Sequence, residues 1–108
     1  NLVMNAAEAM QGKGGGELRL ETGRTDDSLF LKVTDTGEGI PQENLRRIFD
    51  PFFTTKGVGN GTGLGLAVTY GIVQEHAGTI QAFSRNGRGA SFRLVFPAAV
   101  KQRQRAVS

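Results

Sequence analysis

The 108-residue chain has no cysteine and no tryptophan, one tyrosine, one histidine and three prolines. Without cysteine there is no disulfide, no thiolate metal site and no thiol redox chemistry, which fits a reducing compartment. No apolar run approaches the roughly 18–20 residues that cross a bilayer, and no signal-peptide pattern opens the chain. An excess of positive charge is also missing from the body of the protein. Three of the 13 basic residues, Lys101, Arg103 and Arg105, lie in an acid-free tail, and the other 10 balance 10 acidic residues. The formal charge of +3 therefore marks a tail and not a nucleic-acid-binding face. The lone histidine, His76, ends a helical segment, where its charged form suits the helix C-terminus; a structural or surface role fits better than a catalytic one.

Glycine, in contrast, is abundant, and five of the 16 glycines occupy alternate positions from Gly57 to Gly65. Such density marks backbone that bends tightly or approaches a ligand closely. Free amides running into a helix N-terminus favour an anion, and phosphate above all. The run matches neither a P-loop nor G-x-G-x-x-G, and on its own it also describes a flexible linker.

The remaining segments divide cleanly. Asn1–Gln11 reads as a helix broken by Gly12 and Gly14–Gly16, with Leu2, Val3, Ala6, Ala9 and Met10 on one side and Asn1, Asn5 and Glu8 on the other. Glu17–Thr22 and Ser28–Asp35 alternate as strands around a turn at Arg24–Asp27. Pro41–Phe49 reads as a short helix with Pro in its first turn. A second long helix spans Gly63–His76, with Leu64, Ala67, Val68, Gly71 and Ile72 as its stripe and Gly78 as its C-cap. Thr79–Ser84 and Ala90–Phe96 form a hairpin whose Phe92, Leu94 and Phe96 share a face. This order implies an α+β fold, with helices layered on one face of a mixed, mostly antiparallel sheet. The expected division is a domain over 1–97 and a basic, disordered tail over 98–108. No lead-in precedes Asn1, so the helix reads as entered part-way.

Four short segments carry chemistry. Asn1 and Asn5 share a helix face that on its own describes a polar side turned to water, although asparagine is a poor helix former. A carboxylate at a strand end followed by Gly-x-Gly (Asp35-Thr36-Gly37-Glu38-Gly39) can accept a hydrogen bond from an exocyclic amino group while bare backbone admits a flat base. The same residues alone describe a strand-terminating Asx-turn. Phe49-Asp50-Pro51-Phe52-Phe53 offers packing anchors, and Gly61-Thr62-Gly63-Leu64-Gly65-Leu66 leads amides into a helix N-terminus that favours an anion.

In this order the segments resemble the N, G1, F and G2 boxes of the ATP-binding catalytic domain of two-component sensor histidine kinases. That domain belongs to the superfamily shared with gyrase, HSP90 and MutL. The Phe-Phe-Thr-Thr-Lys run and the Asn-Ala-Ala-Glu-Ala-Met run look most like its nitrogen-regulation and dicarboxylate-sensing branch. The resemblance implies a two-layer α/β sandwich of the Bergerat type, here without its first helix and strand, which leaves an edge open to self-association. It implies Mg-ATP as the ligand. Asp35 would meet the adenine amino group, with Gly37, Gly39 and Ile40 as the pocket floor. Asn5 would be the Mg²⁺ ligand and Asn1 would stand near the phosphates. Gly61, Thr62, Gly63, Leu64 and Gly65 would hold the phosphates under a lid of residues 54–62. Lys56 would either neutralise γ-phosphate charge or remain an ordinary solvated lysine.

The family transfers the γ-phosphate to a histidine on an upstream dimerisation domain, and from there to a response regulator. The chain is then expected to be cytoplasmic, part of a homodimer when intact, and unable to autophosphorylate alone. Asn1 stands where the gyrase and MutL branches place a water-activating Glu, and an amide cannot act as a general base. That favours transfer over hydrolysis. A gyrase- or MutL-type ATPase, an anti-sigma serine kinase and a non-catalytic docking module stay open as alternatives.

Overall fold

The computed structural model describes residues 1–12, 14–51, 53, 65–84 and 87–98. The elements run α1 (Leu2–Gln11), β1 (Leu18–Arg24), β2 (Ser28–Asp35), α2 (Gln42–Leu45), α3 (Gly65–Glu75), β3 (Thr79–Ser84) and β4 (Ala90–Pro97). The strands form one sheet in the order β1-β2-β4-β3, and among the described strands every pairing is antiparallel.

Alternation decides which face is covered. Val33 pairs with Phe92 and Leu31 with Leu94, so these apolar side chains lie in rows toward the helices. Thr34 and Ser91, one residue along, face the other way and hydrogen-bond at 3.2 Å. The core gathers Ile48, Val73, Ile80, Ala90, Phe92 and Leu94, with Leu2, Ile40, Leu45, Phe49 and Leu66 packed against it. Val73 is the most enclosed, at 2% exposure. Burying such a side chain contributes about 1.5–3 kcal/mol.

Several local expectations change, beginning with β1, which runs on through Arg24 where the sequence predicts a turn. The segment after Pro41 is helical only to Leu45; beyond it, i→i+3 bonds from the Arg47, Asp50 and Phe53 amides make successive tight turns. The tighter winding lets Ile48, Phe49 and Phe53 all reach the core from one short stretch. Phe49 then lies 5.4 Å from the Tyr70 ring and edge-on to Phe92 at 6.3 Å.

On α3 the expected stripe is displaced: Val68 and Ile72 are each 50% exposed, while Leu66 and Val73 pack inward. Almost every residue of this helix is apolar or small, so periodicity alone does not select its inner side. Val3 of α1 is likewise exposed, at 46%.

The cap of α3 differs as well. Ala77, not Gly78, takes the left-handed conformation (φ 60°), while the Gly78 amide returns to the Val73 carbonyl at 2.9 Å. That is a Schellman closure with alanine at the glycine position. Gly78 serves packing instead, since a Cβ there would stand 2.6 Å from the Phe96 ring.

Candidate functional site

The site is built around the end of β2. Among the described residues Asp35 is the one buried charged side chain, at 7% exposure, and it faces the helix layer. Its Oδ1 accepts the Gly37 amide at 2.8 Å. The Asx-turn and the candidate base-binding carboxylate are thus one structure: the turn holds one oxygen and fixes the carboxyl group in place. An ionised carboxylate accepting a backbone amide is among the stronger hydrogen bonds.

Segment 35–40 is then held from two sides. Toward α1, the Glu38 amide donates to the Ala9 carbonyl at 3.2 Å. Gly37 is buried so tightly against the same residue that an added Cβ would lie 2.7 Å from the Ala9 oxygen. Gly37 is therefore required for close approach of the helix backbone, a reason that its motif does not disclose. Gly39 has φ 78°, which glycine adopts without strain. Toward the β3–β4 connection, the Glu38 carbonyl accepts the Gly87 amide at 2.6 Å, and the Ile40 amide donates to Ser84 Oγ at 2.6 Å. Gly89, at φ 91°, leaves no room for a Cβ against the Asp35 carbonyl oxygen.

Asn1, the N-cap of α1, reaches the start of α3. Asn1 Nδ2 donates to the Gly65 carbonyl at 3.0 Å and to Thr69 Oγ1 at 3.1 Å, and Thr69 Oγ1 donates to the Gly65 carbonyl at 2.9 Å. Asn1 thus fastens the end of the glycine box to the first helix. Asn5 is partly buried one turn later, and its backbone amide donates to the Asn1 carbonyl at 3.0 Å. Among the described residues no cluster of three or more His, Cys, Asp or Glu side chains is placed to hold a metal.

A cavity of about 560 Å³ opens beside Asp35 on the side of α2 and the final hairpin, lined also by Gln42, Ser84, Arg88 and Gly89. Asn1 and Asn5 do not line it. Ile40 packs into the core. Lys56, Gly61, Thr62, Gly63 and Leu64, with the rest of the expected lid, Phe52 and the tail from residue 99, lie outside the described residues. His76, exposed at the end of α3, has Nδ1 2.8 Å from the Ile72 carbonyl, in keeping with a structural role. Thr69, Ser84 and Gly89 went unnoticed in the sequence, because each acts through a partner distant along the chain.

Residues 1–100 match the family of histidine kinase-, DNA gyrase B- and HSP90-like ATPases. The chain belongs to this family. It is 38% identical to the sensor kinase CckA of Brucella abortus over 96% of its length, and 40% identical to the sensor histidine kinase ZraS of Escherichia coli over 95%. Against the nitrogen regulation protein NtrY of Azorhizobium caulinodans it is 38% identical over 91%. It spans 12%, 21% and 13% of these relatives respectively. The catalytic domain of histidine kinase ThkA superposes with a TM-score of 0.74 at 35% identity, covering 89% of this chain and 61% of that one. Full-length ShkA in complex with AMPPNP gives 0.77 at 28% identity, covering 89% of this chain and 19% of ShkA. The chain is thus an ATPase-family catalytic domain of the sensor histidine kinase kind, and the nitrogen-regulation branch is represented among its relatives. Among the described residues no helix is long and apolar enough to cross a membrane.

Proposed function

We propose that this domain binds Mg-ATP and that the protein containing it passes the γ-phosphate to one of its own histidines, on a dimerisation domain, for relay to a response regulator. The observation that carries the reading is the buried Asp35 carboxylate, with one oxygen fixed by the Gly37 amide and the whole segment seated on α1. A carboxylate so held presents a fixed acceptor to the 6-amino group of adenine. Gly39, with its positive φ, and Ile40 complete the floor. A histidine kinase of the same fold carrying AMPPNP supports the assignment.

The asparagine face of α1 fits a magnesium ion whose other positions are filled by phosphate oxygens and water. Asn5 provides one neutral oxygen, and no protein cage is needed. When bound, the ion would supply charge neutralisation for phosphoryl transfer. The chain's own residues position the nucleotide. Asn1 draws the start of α3 onto α1, and the amides of residues 61–65 are assigned to the phosphates, with Lys56 assigned to the γ-phosphate. Asn1 donates its amide hydrogens to Gly65 and Thr69 and carries no basic group to activate water, so transfer is favoured over hydrolysis. The domain is assigned to the cytoplasmic side, with the intact protein a homodimer and no nucleic-acid partner.

Calorimetry tests the site. Asp35→Asn is expected to weaken ATP binding at least tenfold with or without magnesium. Asn5→Ala is expected to weaken it only when magnesium is present. Unchanged affinity in both variants would remove the assignment.

A further inference from the structure

Ser84 belongs to none of the recognised boxes, yet it joins two of the segments that shape the Asp35 site. Its Oγ accepts the Ile40 amide at 2.6 Å and donates to the Gly89 carbonyl at 2.7 Å. Its carbonyl accepts Gln42 Nε2 at 2.9 Å. The sheet register explains the placement. Ser84 pairs with Ala90, and Ala90 pairs with Asp35, so the three lie in one row across β3, β4 and β2, on the face toward the helices. Ala90, between them, is small and buried in the core. Gly89 abuts the Asp35 carbonyl with no space for a Cβ, so displacement of the turn is transmitted to Asp35 itself.

We infer that Ser84 is a positioning residue for adenine recognition: its hydroxyl closes the loop from Asp35 to Ile40 against the β3–β4 turn and so sets the aim of the Asp35 carboxylate. The inference rests on the assignment of Asp35 to the adenine amino group. Without the hydroxyl, the half-buried Ile40 amide and the Gly89 carbonyl lose their partner, and the loop shifts to find replacements. The effect falls on the contact that depends on direction, the amino group, and spares the phosphates.

The test compares ATP with purine riboside 5′-triphosphate, which lacks the 6-amino group, in direct binding to the parent chain, Asp35→Asn, Ser84→Thr and Ser84→Val. Thr and Val share a shape and differ by the hydroxyl. Ser84→Val is expected to lose about three- to tenfold in ATP affinity, the equivalent of one net hydrogen bond, and less than twofold for the analogue. Ser84→Thr is expected to keep the parent's ratio between the two nucleotides. Equal losses for both nucleotides, or equal ratios in the Thr and Val variants, overturn the inference. A parent chain with no preference for ATP, or an Asp35→Asn variant with an unaltered ratio, overturns the adenine assignment and the Ser84 role together. If Ser84→Val does not fold, amide exchange decides in the parent and Ser84→Thr chains. Ile40 is expected to exchange at least tenfold more slowly than an unprotected amide of the same local sequence, and an Ile40 rate equal to that unprotected rate overturns the role.

Discussion

Replacing Gly37 with alanine separates two explanations for this glycine, clearance for a ligand and clearance for a helix. The added Cβ would stand 2.7 Å from the Ala9 oxygen, and 2.8 Å from both its carbonyl carbon and its Cβ. Ordinary contact begins near 3.4 Å, so the loop and α1 must separate by about 0.7 Å. The Glu38–Ala9 hydrogen bond, already 3.2 Å long, would open to about 3.9 Å and cease to be one. Overpacking costs about 1–3 kcal/mol and the lost bond about 1 kcal/mol. The stiffer unfolded chain returns about 0.4–1 kcal/mol, for a net loss of about 2 kcal/mol. With a urea slope of about 1–1.5 kcal/mol/M for a chain of this size, the midpoint is expected to fall by about 1–2 M. Ala9→Gly in the same background is expected to restore little, because the carbonyl clash remains. An unchanged urea midpoint together with weakened ATP binding would refute the helix explanation and return Gly37 to the ligand.

Two further outcomes follow from single contacts. Ala77→Gly relieves a left-handed alanine at the end of α3, against a more flexible unfolded chain. A net gain of about 0.5 kcal/mol is expected, seen as a rise of about 3 °C in the thermal midpoint. Asn1→Asp removes both donors to Gly65 and Thr69; amide exchange across the first turn of α3 is expected to accelerate at least threefold, with no change at β4.

How legible the protein was depended on where the information sits. Strand β2 was readable to the residue, because Leu29, Leu31 and Val33 alternate and the Asp35–Gly39 segment stops the pattern. The final hairpin was readable for the same reason. Helix α3 was placed but turned the wrong way: Val68 and Ile72 are as apolar as Leu66 and Val73, and only the packed neighbours choose between them. The end of α2 was overrun, since nothing local announces that Ile48 and Phe49 both turn inward. In the candidate site, Asp35 and its glycines were visible as a pattern. Their reasons were not, because Gly37 answers to Ala9, Gly89 to Asp35 and Ser84 to Ile40, each across the fold. Asn1 was read for a chemistry it lacks, while its hydrogen bonds to α3 needed the tertiary structure to be seen.

Glu38 combines a backbone tied at both ends with a side chain turned to solvent. Its amide and carbonyl are committed to α1 and to the Gly87 turn, while among the described residues the carboxylate has no ion-pair partner. In a chain with no native thiol, Glu38→Cys would introduce a single labelling point, three positions after Asp35 and within the same loop. A small fluorophore attached there would travel with the rigid loop and not with its own linker. Occupancy of the adenine side could then be followed optically in the otherwise unmodified domain.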